Sequence, residues 1–262
     1  MKAIRTTPVA LTVAGSDSGG GAGIQADLKT FHSLGVFGAS AITCITAQNP
    51  ATVSAVQAVE PRVVAEQIDR VFDAFKIGAA KTGMLYDAAI IETVADAFQR
   101  RRFRKLVVDP VMVATSGAFL LKEDAIMALC GSLLPRAAVV TPNLAEAEAL
   151  SHRHIRSLDD LRAVAHVLSD RFGVPILVKG GHLPRMKFAI DVLDDGRNVH
   201  EFRAGIVRNA QPHGAGCTFS AAIAAHLALG HDLVDSIWNA KRFVTGAIRH
   251  SISLGRHRAL KV

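Results

Sequence analysis

Aromatic side chains are scarce in this sequence, with one Trp, one Tyr and an aromatic content of 5%. A surface that stacks nucleic-acid bases needs more than that, so the net charge of +7 does not by itself point to a nucleic-acid partner. The densest basic run, Arg100-Arg101-Arg102-Phe103-Arg104-Lys105, closes an amphipathic helix, where cations meet the negative end of the helix dipole. A positive excess serves equally to draw in phosphorylated small molecules. Cysteine is also rare. Cys44, Cys130 and Cys217 are irregularly spaced, which argues against a disulfide framework or a zinc site and suits a reducing cytoplasm. Apolar runs are broken by glycine, charge or proline well short of the roughly 18 residues of a membrane span. Met1-Lys2-Ala3-Ile4-Arg5 runs straight into a strand without an apolar export segment, so neither membrane insertion nor secretion is expected. Linker-like composition and internal repeats are lacking, and residues 1–262, half of them hydrophobic, are expected to form a single α/β domain.

Glycine, by contrast, is concentrated where it is informative. Gly15, Gly19, Gly20, Gly21 and Gly23 fall between an apolar strand at Val9 to Ala14 and a helix at Ala22 to Leu34. Such a loop lets backbone approach a ligand closely, although a tight strand-to-helix turn is the plain alternative. Ile24 stands where the dinucleotide fingerprint needs glycine or alanine, and no Lys-Ser or Lys-Thr follows, so neither that fingerprint nor a P-loop is present. Downstream, strands are read at Val36 to Thr46, Ile77 to Lys81, Leu106 to Val108, Ala137 to Val140 and Pro175 to Val178. Helices are read at about 61–75, 87–101, 122–132, 143–150 and 157–171. A hairpin follows at Ala189 to Leu193 and Val199 to Phe202, then helices from near Ala215 and Leu233. This alternation predicts a mainly parallel sheet covered on both faces, with ligands gathering beyond the carboxyl ends of its strands.

The residues at those strand ends suggest phosphoryl transfer. Gln211-Pro212-His213-Gly214-Ala215-Gly216-Cys217-Thr218 opens a helix of small residues, and consecutive N–H groups at 214–217 form a candidate anion hole. Cys217 at a helix N-terminus is expected to have a lowered pKa and to accept a proton from an attacking hydroxyl; a small packed cysteine is the alternative. Lys179 supplies a cation for phosphates, unless its amine merely escapes at the sheet edge. Asp109 and Glu146 offer oxygens to Mg²⁺, although a strand-ending aspartate and a first-turn glutamate also have ordinary structural uses. Gln48 pairs a donor with an acceptor, as an aminopyrimidine edge does; a capped turn is its alternative.

These motifs together resemble the hydroxymethylpyrimidine and phosphomethylpyrimidine kinases of the ribokinase-like superfamily. The resemblance is carried by Ala14 to Lys29, Thr46-Ala47-Gln48-Asn49, Lys81-Thr82-Gly83-Met84-Leu85, Asp109-Pro110-Val111-Met112, Thr141-Pro142-Asn143-Leu144 with Glu146, Lys179-Gly180-Gly181-His182 and His213 to Thr218. It implies a three-layer α/β/α sandwich with a mostly parallel central sheet, a homodimer, and ATP with Mg²⁺. It further implies a pyrimidine pocket of Gln48, Gly15, Asp27, Met84 and Val111, and metal organisation by Asp109 and Glu146. Lys179 would meet ATP phosphates, Gly214, Ala215 and Gly216 would form the anion hole, and Cys217 would be the base. The implied substrate is a small aminopyrimidine alcohol or its monophosphate. The alternatives are a pyridoxal or pyridoxine kinase, and a pyrimidine-binding regulator without catalysis.

Overall fold

The computed structural model describes residues 7–112, 121, 123–181, 183, 186–207 and 213–262; Met1 to Arg5, Lys122, His182, Gln211 and Pro212 of the segments above lie outside them. Its strands and helices run β1 (Val9–Asp17), α1 (Gly23–Ser33), β2 (Phe37–Gln48), β3 (Val53–Ala58), α2 (Pro61–Ala74), β4 (Ile77–Thr82), α3 (Ala88–Arg100), β5 (Leu106–Val108) and α4 (Glu123–Ala128). They continue as β6 (Val139–Val140), α5 (Leu144–Ser151), α6 (Leu158–Phe172), β7 (Ile176–Val178), β8 (Phe188–Asp194), β9 (Val199–Gly205), α7 (Ala215–Ala228), α8 (Leu233–Arg249), β10 (Ile252–Leu254) and β11 (His257–Ala259).

Nine strands form one sheet in the order β3-β2-β1-β4-β5-β6-β7-β8-β9. The pairs from β2 to β7 are parallel, and antiparallel β3 and the β8–β9 hairpin flank them. One apolar cluster joins a sheet face to α2 through α6, with Ile68, Phe98 and Leu133 at its centre. A second joins the opposite face to α1, α7 and α8 through Phe31, Ile223 and Ile237. The fold is therefore the expected α/β/α sandwich. The alanine run of α7 lets that helix sit close to the sheet, and Phe219 and Ile223 within it are worth about 1.5–3 kcal/mol each when fully buried.

The structure differs from the sequence reading at several places. β1 runs past the glycine at position 15 to Asp17, with a bulge between Ala14 and Ser16, so Asp17 pairs with Thr46 beside Gln48. The helix expected to about 132 is α-helical only to Ala128 and loosens into a π-turn over Leu129–Leu133, around Gly131 and ahead of Pro135. Edge strand β3 and the small β10–β11 hairpin add to the elements read from sequence.

Candidate active site

One cavity of about 1060 Å³ opens along the carboxyl ends of the parallel strands. Gly15, Gln48, Met84 and Val111 line it, as do Asp109, Glu146, Lys179, Gly214, Ala215, Gly216 and Cys217. Asp27, expected among the pocket residues, is the exception. Its carboxylate is fully buried behind the wall, where it accepts from Thr12 Oγ1 at 2.6 Å and pairs with Lys81 Nζ at 2.9 Å. The reason is Lys81 itself, a lysine on central strand β4 that reaches the cavity but has no route to solvent, so it needs a counter-charge inside the protein. Burial favours the neutral amine, yet Asp27, Cys217 and Asp109 outweigh it and hold the Lys81 pKa above its ordinary value.

The first glycine loop does not cradle a ligand anion, because the protein fills the cradle with its own carboxylate. Asp17 accepts N–H bonds from Gly19 at 2.8 Å, Gly21 at 3.1 Å and Ala22 at 2.8 Å, next to the start of α1. Burial pushes the Asp17 carboxyl up, but the bonds from His213, Ala22 and Gly19 hold it below its ordinary value. The glycines let the loop fold against its neighbours. Gly214 takes φ +89°, and a Cβ there would stand 1.7 Å from the Gly21 carbonyl oxygen. The two glycine loops are thus packed backbone to backbone.

The N-terminus of α7, in contrast, is left open. Its N-cap is Gly214 and no side chain caps it, so the first N–H groups of the helix face the cavity. Cys217, the third residue of α7, lies within its first turn and is half-buried at the cavity wall. The expected fall in its pKa does not occur: desolvation raises the thiol, and Lys81 and the Gly23 N–H only partly offset it against Asp27 and Asp109. Proximity to a helix start is a weaker effect here than loss of solvent.

Opposite Cys217, at the ends of β5 and β7, Lys179 Nζ bonds Asp109 Oδ1 at 2.8 Å, and Ser220 Oγ donates to Asp109 Oδ2 at 3.0 Å. A Cβ on Gly216 would lie 3.6 Å from Lys179 Nζ, which places that ammonium beside the open helix start. Glu146 completes a capping box with Asn143: its carboxylate accepts the Asn143 N–H at 2.9 Å while Asn143 Oδ1 accepts the Glu146 N–H at 3.0 Å. Burial, offset in part by Lys179 and reinforced by Asp109, pushes Glu146 up to about 7. Among the described residues no three His, Cys, Asp or Glu side chains converge as a metal cage. Mg²⁺ requires none, since one or two carboxylates with phosphate and water oxygens suffice, and the Asp109–Glu146 pair fits that demand.

At the other end, the Gln48 carboxamide is held between Thr46 Oγ1 and His213 Nε2, each at 3.2 Å. Beyond Lys179, a second buried pair, Lys241–Asp191 at 2.6 Å, underlies the cavity, and Asp191 accepts the Gly180 N–H at 3.0 Å. Asp17, Lys81, His213 and the Lys241–Asp191 pair carry no role in the sequence reading. For Lys81 a signal existed: a lysine inside an apolar central strand demands a partner.

Residues 17–261 match the family model described as phosphomethylpyrimidine kinase. A hydroxymethylpyrimidine/phosphomethylpyrimidine kinase of Rhizobium meliloti is 48% identical over 243 residues, covering 92% of this chain and 91% of that protein. The thiamine biosynthesis bifunctional protein ThiED of Geobacter sulfurreducens is 46% identical over 94% of this chain, which spans 50% of that longer protein. Among solved structures, an ADP complex of Bacillus subtilis pyridoxal kinase superposes with a TM-score of 0.89 at 36% identity, covering 98% of this chain and 97% of that one.

Proposed function

Since the chain belongs to the phosphomethylpyrimidine kinase family, we propose that it transfers a phosphoryl group from ATP to 4-amino-5-hydroxymethyl-2-methylpyrimidine and then to its monophosphate, for thiamine biosynthesis. The observation that carries this reading is one cavity with a donor–acceptor carboxamide, Gln48, at one end and an open helix start with Lys179 and Cys217 at the other. Gly15, Met84 and Val111 form the apolar sides against which a flat ring rests. The N–H groups of Ala215 and Gly216 and the Lys179 ammonium stabilise the charge that develops on the transferring phosphoryl group. Cys217 takes the proton as its thiolate, the minor form that its raised pKa leaves at neutral pH, as the substrate hydroxyl oxygen attacks phosphorus and ADP leaves. Asp109 and Glu146 would hold Mg²⁺, which would supply neutralisation of phosphate charge when bound.

The chain acts as one domain and as a homodimer. Exposed Phe37 on β2 with Phe75 beside it, and exposed Ile45 further along β2, are large apolar side chains that support a second copy as partner. No helix among the described residues is long and apolar enough to cross a membrane, and three unpaired cysteines support a cytoplasmic setting. ADP release is the test: turnover with Mg-ATP and the hydroxymethylpyrimidine is expected, lost in Cys217→Ala with pyrimidine affinity nearly unchanged. Phosphorylation of pyridoxal much faster than of the pyrimidine would instead favour the activity of the Bacillus subtilis structural relative.

A further inference from the structure

We infer that His213 sets the orientation of the Gln48 carboxamide and so decides which ring edge the cavity accepts, an inference resting on the reading of Gln48 as the residue that meets the substrate ring. The hydrogens around Gln48 can be counted. The Thr46 hydroxyl donates its single proton to the Ser16 carbonyl at 2.9 Å, so toward the carboxamide atom 3.2 Å away it is an acceptor only. On the other side, His213 Nε2 stands 3.2 Å from the second carboxamide atom and 3.3 Å from Asp17 Oδ2.

Asp17, ionised and already accepting three N–H bonds, can only accept, so the His213 nitrogen facing it carries the proton. The opposite tautomer would aim a lone pair at a carboxylate. It would also bury an Nδ1–H that has no partner among the described residues. With the single Nε2 proton shared between Asp17 Oδ2 and the carboxamide, the carboxamide atom facing His213 must be the oxygen and the one facing Thr46 the nitrogen. That is a half-turn from the placement with Nε2 toward His213, and it leaves the shape of the side chain unchanged.

In this orientation Gln48 retains one lone pair on Oε1 and one N–H on Nε2, a fixed order of acceptor and donor at the cavity wall. A ring nitrogen beside an exocyclic amine complements that order in one pose only, which also fixes the direction of the hydroxymethyl group. A ring bearing a carbonyl in place of the amine sets acceptor against acceptor and is rejected.

The test compares kcat/KM for 4-amino-5-hydroxymethyl-2-methylpyrimidine and its 4-oxo counterpart, with Mg-ATP, in the wild type, His213→Ala and His213→Gln. His213→Ala is expected to shrink the preference for the amino ring by about tenfold, mainly through KM. His213→Gln, whose amide N–H reaches the same place, is expected to restore most of it. Equal losses on both rings in His213→Ala would overturn the inference and leave His213 as a prop for its loop. A wild type that turns over neither ring, or both alike, would overturn the reading of Gln48 and the inference with it. Should His213→Ala not fold, Thr46→Val removes the acceptor on the opposite side without touching that loop, and the same loss of preference is expected; an unchanged ratio there counts against the inference.

Discussion

Glu146 shows how one side chain serves structure and chemistry in opposition. Its carboxylate caps α5 from a buried position, and burial together with Asp109 raises its pKa to about 7 from 4.5. Between those values the folded chain holds a proton that the unfolded chain has released, so this group makes the protein less stable as pH rises through that interval. Glu146→Gln keeps the capping oxygen and removes the titration. Its melting temperature is expected to exceed the parent's by roughly 2–6 °C near pH 8, with the gap closing near pH 4. A gap of equal size at both pH values would show that burial of charge is not its source. Cys217 teaches the complementary lesson. Its place at a helix start is legible in the sequence, but the burial that raises its pKa, and the Asp27 and Asp109 charges that add to it against Lys81, exist only once the chain has folded.

At the scale of elements, the two glycine loops act as one device. β1 ends in Asp17, whose carboxylate organises the first loop, while Gly214 packs against Gly21 and leaves the α7 N-terminus free. Gly214→Ala would drive its Cβ into the Gly21 carbonyl and strain a positive φ, forcing the loops apart. Turnover is expected to fall about a hundredfold or more, since small misplacements of reacting groups cost that much, while far-UV circular dichroism stays near native. Near-native turnover would show that the loops move independently. Most elements were readable because buried parallel strands are continuous apolar runs and their helices have the matching period. β3 and the β10–β11 hairpin escaped for the converse reason: their side chains are largely exposed, so no apolar pattern marks them.

Across the whole molecule, the exposed Phe37–Phe75 pair, with rings 5.6 Å apart, and Ile45 further along β2 leave large apolar side chains open to solvent. Sedimentation is expected to give twice the monomer mass, and Ile45→Glu to shift it toward the monomer; a wild type that sediments as a monomer at micromolar concentration would remove the dimer. By itself the sequence determined the alternation of strands and helices, hence the sandwich, and the order in which reactive residues arrive at the strand ends. These follow from local patterns of apolarity, glycine and charge, which are written in neighbouring positions. Tertiary structure alone decided that Asp27 neutralises Lys81 instead of lining the cavity, that Asp17 occupies the first loop's anion cradle, and that His213 meets Gln48 across 165 positions of chain. Those assignments depend on burial and on which partner is nearest in space, and neither is a property of residues that are close in sequence.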